Sequence, residues 1–165
     1  MRKSVYFDAF DGPGWPSPSQ LQPYFLGPRE RRWKFARRND CWGLSAEGVD
    51  GTAHLPRNKG RIDLNLTILS NFNHGILLHY HKTGGARGEF YYSKGDLSRL
   101  KEWVKTMHGD LMPVGLYIPF ESAWKAVKEF MERDGALPNS IEWIAGEDIP
   151  DDAFPDPYLY RLAQS

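Results

Sequence analysis

His79-Tyr80-His81 places two imidazoles two residues apart, and on a strand that spacing puts both on one face, where they could share a metal ion or a proton. Two ligands do not make a site. A catalytic zinc needs three protein ligands and an open position, and no third His or carboxylate stands at a matching spacing, so no metal and no other cofactor is predicted. The pair reads instead as the solvated face of a strand whose other face is Ile76, Leu78 and Tyr80. Lys82-Thr83-Gly84-Gly85-Ala86-Arg87-Gly88 is glycine-rich and basic, as phosphate-binding loops are. It lacks the Gly-x-x-x-x-Gly-Lys-Ser/Thr spacing and leads into a strand rather than a helix N-terminus, which makes it a hairpin loop. The segment Arg29 to Arg38 mixes basic and aromatic side chains, the combination that attracts phosphates and stacks on bases. Over a chain of net charge zero, a strand with solvated arginines is the stronger reading; a small RNA-binding module is an alternative.

Cys41 is the single cysteine, so neither an internal disulfide nor a thiolate cage can form. Asp40-Cys41-Trp42-Gly43-Leu44, with His74 downstream, is similar to the Asp-Cys-Ser-Gly and later His of small cysteine peptidases that cut cell-wall peptides. In those enzymes the cysteine opens a helix whose N-terminus lowers the thiol pKa. Here Ser45-Ala46-Glu47-Gly48-Val49-Asp50-Gly51 is unfit for a helix, and Trp42 stands where the motif has a small residue. A structural cysteine in a strand is expected, with a cysteine hydrolase using Cys41 and His74 as the competing reading. No nucleophile, base and orienting group stand together at plausible spacing, and the chain is predicted not to be an enzyme.

The elements that position these residues are mostly strands. Arg61 to Leu69 alternates Ile62, Leu64, Leu66 and Ile68 with Asp63, Asn65 and Thr67 at period two, and Ile76 to Lys82 returns antiparallel to it after an Asn- and Gly-bearing loop. Glu89 to Ser93 continues the meander. Further strands are predicted at Ser4 to Phe7, at Leu111 to Ile118 on an edge, and around Trp143; Trp33 to Ala36 and Cys41 to Ser45 read as a hairpin. Asp11 to Ser19, dense in Pro and Gly, is predicted to be an ordered loop without regular structure. Two helices are expected. One runs from Asp96 as N-cap through Leu97, Leu100, Trp103, Val104 and Met107, and the other from Pro119 to Arg133 on the stripe Phe120, Ala123, Trp124, Val127, Phe130 and Met131. The result is an α+β fold, an antiparallel meander-like sheet packed by one or two helices, in a single domain spanning residues 1–165.

Composition fits a folded protein: 41% hydrophobic and 25% charged, with six Trp, eight Tyr and nine Phe, a rich aromatic supply for a core or an interface. No stretch approaches the ~18 apolar residues of a membrane helix, and the N-terminus is too short and acidic for a signal peptide, so a cytoplasmic location without membrane contact is expected. Charge is uneven. Residues 1–61 carry 11 Lys and Arg against 6 acids, whereas residues 111–165 carry 4 against 10.

From Arg61 to Pro157 the order of features is that of a known family: the alternating strand, Gly75-Ile76-Leu77-Leu78-His79-Tyr80, Phe90-Tyr91-Tyr92 with Ser93-Lys94-Gly95-Asp96, then Ile118-Pro119-Phe120-Glu121-Ser122-Ala123, the helix, Gly135, Pro138 and Ile141-Glu142-Trp143. This resembles the family called immunity protein one; the first sixty residues match no family. The resemblance implies a protein that protects its producer by binding the toxin of a bacterial polymorphic toxin system, commonly one with a nucleic-acid deaminase domain. The predicted partner is that toxin, its active site occluded, with no direct nucleic-acid contact. A deaminase must attract a polyanion, so its cleft is expected to be basic, and the dense acidic segment is the candidate contact: Glu147, Asp148, Asp151, Asp152 and Asp156, flanked by Phe154, Tyr158 and Tyr160. The sheet face around His79 and His81 is the alternative contact.

Overall fold

The computed structural model describes residues 1–8, 10–27, 40–84 and 88–155. Its elements are β1 (Arg2–Phe7), β2 (Phe10–Pro13), α1 (Pro18–Leu26), β3 (Cys41–Val49), β4 (Ile62–Asn71), β5 (Gly75–Thr83), β6 (Glu89–Ser93), β7 (Trp103–Lys105), β8 (Leu111–Pro113), β9 (Tyr117–Ile118), α2 (Phe120–Glu132) and β10 (Trp143–Ala145). Eight strands form one antiparallel sheet in the order β2-β1-β3-β4-β5-β6-β10, with β9 on β5, and β7 and β8 form a separate hairpin. The fold is α+β; β4 through β6 are the expected meander, and β3 extends it on the β4 side.

Period-two alternation decides which face is buried. Leu44 and Ala46 of β3, Leu64, Leu66 and Ile68 of β4, and Ile76, Leu78 and Tyr80 of β5 enter one core with Val5 and Phe7 of β1. The stripe of α2 covers that face: Phe120, Ala123, Val127 and Phe130 are at most 2% exposed. Beside it α1 presents Leu21, Tyr24 and Phe25; the Phe25 and Trp124 rings lie 5.3 Å apart, and Trp15 stacks 5.1 Å from Phe130. A smaller cluster of Leu69, Leu77, Leu116, Tyr117, Ile149 and Ala153 forms on the opposite side of the sheet.

One edge of β5 is shared. Strand β6 pairs with His79 to Lys82 and β9 with Ile76 and Leu77, which leaves Leu78 at the junction. There the buried Ser93 hydroxyl accepts the Leu78 N–H at 2.9 Å and donates to the Leu116 carbonyl at 2.7 Å, satisfying two backbone groups that no strand reaches.

Several expectations are corrected. Asp11 to Ser19 is not a loop throughout: Asp11 to Pro13 complete β2, an edge strand where proline's missing N–H costs nothing, and Pro18 opens α1. The Ser17 N–H donates to Gln20 Oε1 at 2.7 Å, a capping contact at the start of that helix. The helix expected from Leu97 to Met107 is a single 3₁₀ turn, Leu97–Arg99, followed by β7. Its apolar residues do pack, with Leu97, Leu100 and Val104 on the smaller cluster, but from a turn and a hairpin rather than from one helix face. Gly109, at φ +89°, makes the hairpin turn. The strand expected at Leu111 to Ile118 is two short strands around a 3₁₀ turn, Val114–Leu116. The predicted hairpin arm Trp33 to Ala36 lies outside the described residues; its other arm is the longer β3, flanked by β1 and β4.

Candidate functional site

On the face of the sheet away from the helices, β5 carries His79 and His81 and β6 carries Phe90 and Tyr92. The register pairs His79 with Tyr92 and His81 with Phe90, so the four rings must meet. The His79 ring stacks on Tyr92 with centroids 4.4 Å apart, lies nearly parallel to His81 at 5.9 Å, and takes Phe90 edge-on at 4.3 Å. Burial, with a smaller contribution from His81, pulls the His79 pKa down to about 4, and its buried Nε2 has no hydrogen-bond partner among the described residues. Burial also raises the Tyr92 pKa. The expectation of two solvated histidines holds in part: they share a face, but His79 is largely covered by aromatic rings.

The acidic segment follows β10. Two 3₁₀ turns, Gly146–Asp148 and Asp151–Ala153, are anchored by the buried side chains of Ile149 and Ala153, and Trp103 Nε1 donates to the Ala153 carbonyl at 2.8 Å. This anchoring holds Glu147, Asp148, Asp151 and Asp152 exposed on fixed backbone. Asp152 is already engaged by Lys101 at 2.8 Å. Phe154, 37% exposed, reaches back to Tyr92 with ring centroids 5.5 Å apart. The two candidate contacts are therefore neighbours. Asp156, Tyr158 and Tyr160 lie outside the described residues, as does the segment Arg29 to Arg38.

Phe90 and Tyr92 were not singled out as site residues from sequence. The signal was there in outline: in an antiparallel pair, alternate residues of Glu89 to Ser93 must lie beside His79 and His81 on one face. The pairing register that names them was not visible.

Cys41 sits on β3 opposite Leu69 and packs against the smaller cluster. Its thiol pKa is raised, first by burial and then by Asp40 and Asp110, the opposite of what a nucleophilic thiolate needs. His74 lies in the β4–β5 turn with its ring 6.4 Å from Tyr117. A hollow of about 530 Å³ lies on the same face, over β1, β3 and β4. Along its floor the Ser45 hydroxyl donates to Asn65 Oδ1 at 2.6 Å, and Asn65 Nδ2 donates to Thr67 Oγ1 at 2.8 Å. Among the described residues no three His, Cys, Asp or Glu side chains are grouped to hold a metal, and no helix is long and apolar enough to cross a membrane.

An α+β domain with one sheet face only partly covered, aromatic rings on that face and a fixed acidic rim beside it has the build of a protein-binding domain. Residues 29–145 match the family model of immunity protein Imm1, and the chain belongs to that family. It is thus an immunity protein, one that acts by binding a cognate toxin rather than as an enzyme. No curated protein and no solved structure gives a match. The family match starts at residue 29, well before Arg61, and ends at residue 145, so the acidic segment lies beyond it.

Proposed function

We propose that the cognate toxin is a nucleic-acid deaminase, that neutralisation takes place in the cytoplasm of the producing cell, and that the chain works by covering the toxin's substrate cleft. The contact between Tyr92 and Phe154 carries this reading, because it makes the open sheet face and the acidic rim one surface. An anion-binding cleft is complemented by carboxylates held in place before the encounter, since little ordering entropy is then lost on binding. Aromatic rings at the centre and charges at the rim match the usual division between anchoring and steering.

Co-expression with the toxin encoded beside this gene tests the proposal, with growth and base changes in cellular nucleic acid as readouts. The chain should restore growth and abolish the base changes while co-purifying with the toxin. A neighbouring toxin that leaves bases unchanged would remove the deaminase assignment, and protection without a stable complex would remove the occlusion mechanism.

A further inference from the structure

On the face away from the helices, one position in the middle of the sheet is bare. The register sets Asp11, Tyr6, Gly43, Thr67, His79 and Tyr92 side by side across β2, β1, β3, β4, β5 and β6. Gly43 is the one member of that row without a side chain, and neither its backbone nor its described neighbours require a glycine. Its φ is not positive. A Cβ there would meet Asn65 Oδ1 at 3.3 Å and no backbone atom nearer than the Leu66 carbonyl oxygen at 3.8 Å, whereas at Gly75, Gly95 and Gly115 backbone oxygens would stand at 2.0, 2.3 and 2.5 Å. Tyr6, directly opposite, does not fill the gap. None of its atoms comes within 4 Å of that Cβ, and its ring turns toward Trp42, 5.2 Å away.

A glycine inside a strand weakens it and marks a place where another backbone can come close. This one opens the hollow of about 530 Å³, with Tyr6, 50% exposed, as one wall and Ser45, Asn65 and Thr67 beside the gap. These three are polar and uncharged. Ser45 donates to Asn65 and Asn65 to Thr67, which leaves the second Asn65 Nδ2–H and the Thr67 hydroxyl hydrogen without an acceptor among the described residues. We infer that a loop of the toxin lays its main chain across Gly43, an inference that rests on the reading that the toxin covers this face. A peptide carbonyl accepts from the two unspent donors, and a neutral peptide group needs no opposite charge beside the gap. Three strand spacings, about 14 Å, separate Gly43 from Tyr92, so one interface of ordinary size takes in both the gap and the aromatic rings.

Calorimetric titration of the intact chain and its variants into the toxin encoded beside this gene tests the inference, with a thermal melt of each variant alongside. Gly43→Val, which refills the gap with a strand-favouring residue, should keep the wild-type melting temperature and weaken binding about tenfold or more. Gly43→Ala, which adds a single methyl and carries the test if the valine variant does not fold, should weaken it several-fold. Thr67→Val removes a donor at nearly constant volume and should also weaken binding several-fold. Wild-type affinity in a folded Gly43 variant would overturn the inference. Should association nevertheless slow when Glu147, Asp148 and Asp151 are replaced by Lys, the loop contact falls and the proposed surface stands; normal binding in both sets of variants removes both.

Discussion

Tyr92 and Phe154 meet with ring centroids 5.5 Å apart, joining the outer face of β6 to the segment that carries the exposed carboxylates. Ile149, Ala153 and the hydrogen bond from Trp103 hold that segment down, so its charges are presented by structure rather than by a tail moving through solvent.

Replacing Glu147, Asp148 and Asp151 together by Lys should slow association with the toxin by about tenfold or more and flatten its salt dependence, because exposed charges act chiefly on encounter. Asp152 is left in place, since its reversal would also break the pair with Lys101. Stopped-flow association at several salt concentrations measures this. Unchanged kinetics in the folded variant would move the contact away from the acidic segment.

Ser93→Ala should cost about 1–3 kcal/mol, because the Leu78 N–H and the Leu116 carbonyl would lose their shared buried partner. Urea denaturation reads the change. A midpoint equal to that of the wild type would mean that β6 and β9 close together without the hydroxyl.

Trp124→Ala and Phe130→Ala should each cost roughly 3–5 kcal/mol, since the two side chains are 6% and 0% exposed and each packs against an aromatic ring from outside its own helix. Native-like thermal melts for both would contradict the packing of α2 against the sheet and α1.

Acid should weaken the fold through His79. Its folded pKa of about 4 lies below the ordinary value near 6.5, so between those two values the unfolded chain binds a proton that the folded chain refuses. Stability contributed by the neutral ring is complete above pH 6.5 and is lost as pH falls toward 4, with a slope of at most about 1.4 kcal/mol per unit. His79→Gln should remove that part of the slope. Parallel stability curves for variant and wild type across this window would show that the ring titrates normally.

The strands most legible in the sequence were those with one wet and one dry face, β4 above all, because alternation in Ile62 to Ile68 needs no knowledge of partners. Helix α2 was legible for the same reason at helical period. The segment Leu97 to Met107 misled because its apolar residues recur at helical spacing, yet Val104 and Thr106 favour extended backbone and Trp103 is fixed by a carbonyl 50 residues away. Helix α1 was hidden by its prolines, Pro18 at its first position and Pro23 inside it. At the site, the acidic residues and the two histidines were visible as types. That they adjoin depends on Phe154 folding back onto Tyr92, a long-range contact that no local pattern encodes.

Titrating purified chain into purified toxin while following both heat and toxin activity tests the binding mechanism most directly. One equivalent of chain should abolish activity, with the heat saturating at the same one-to-one ratio. Full inhibition by far less than one equivalent would reveal turnover, and persistent toxin activity at saturating chain would contradict inhibition by binding altogether.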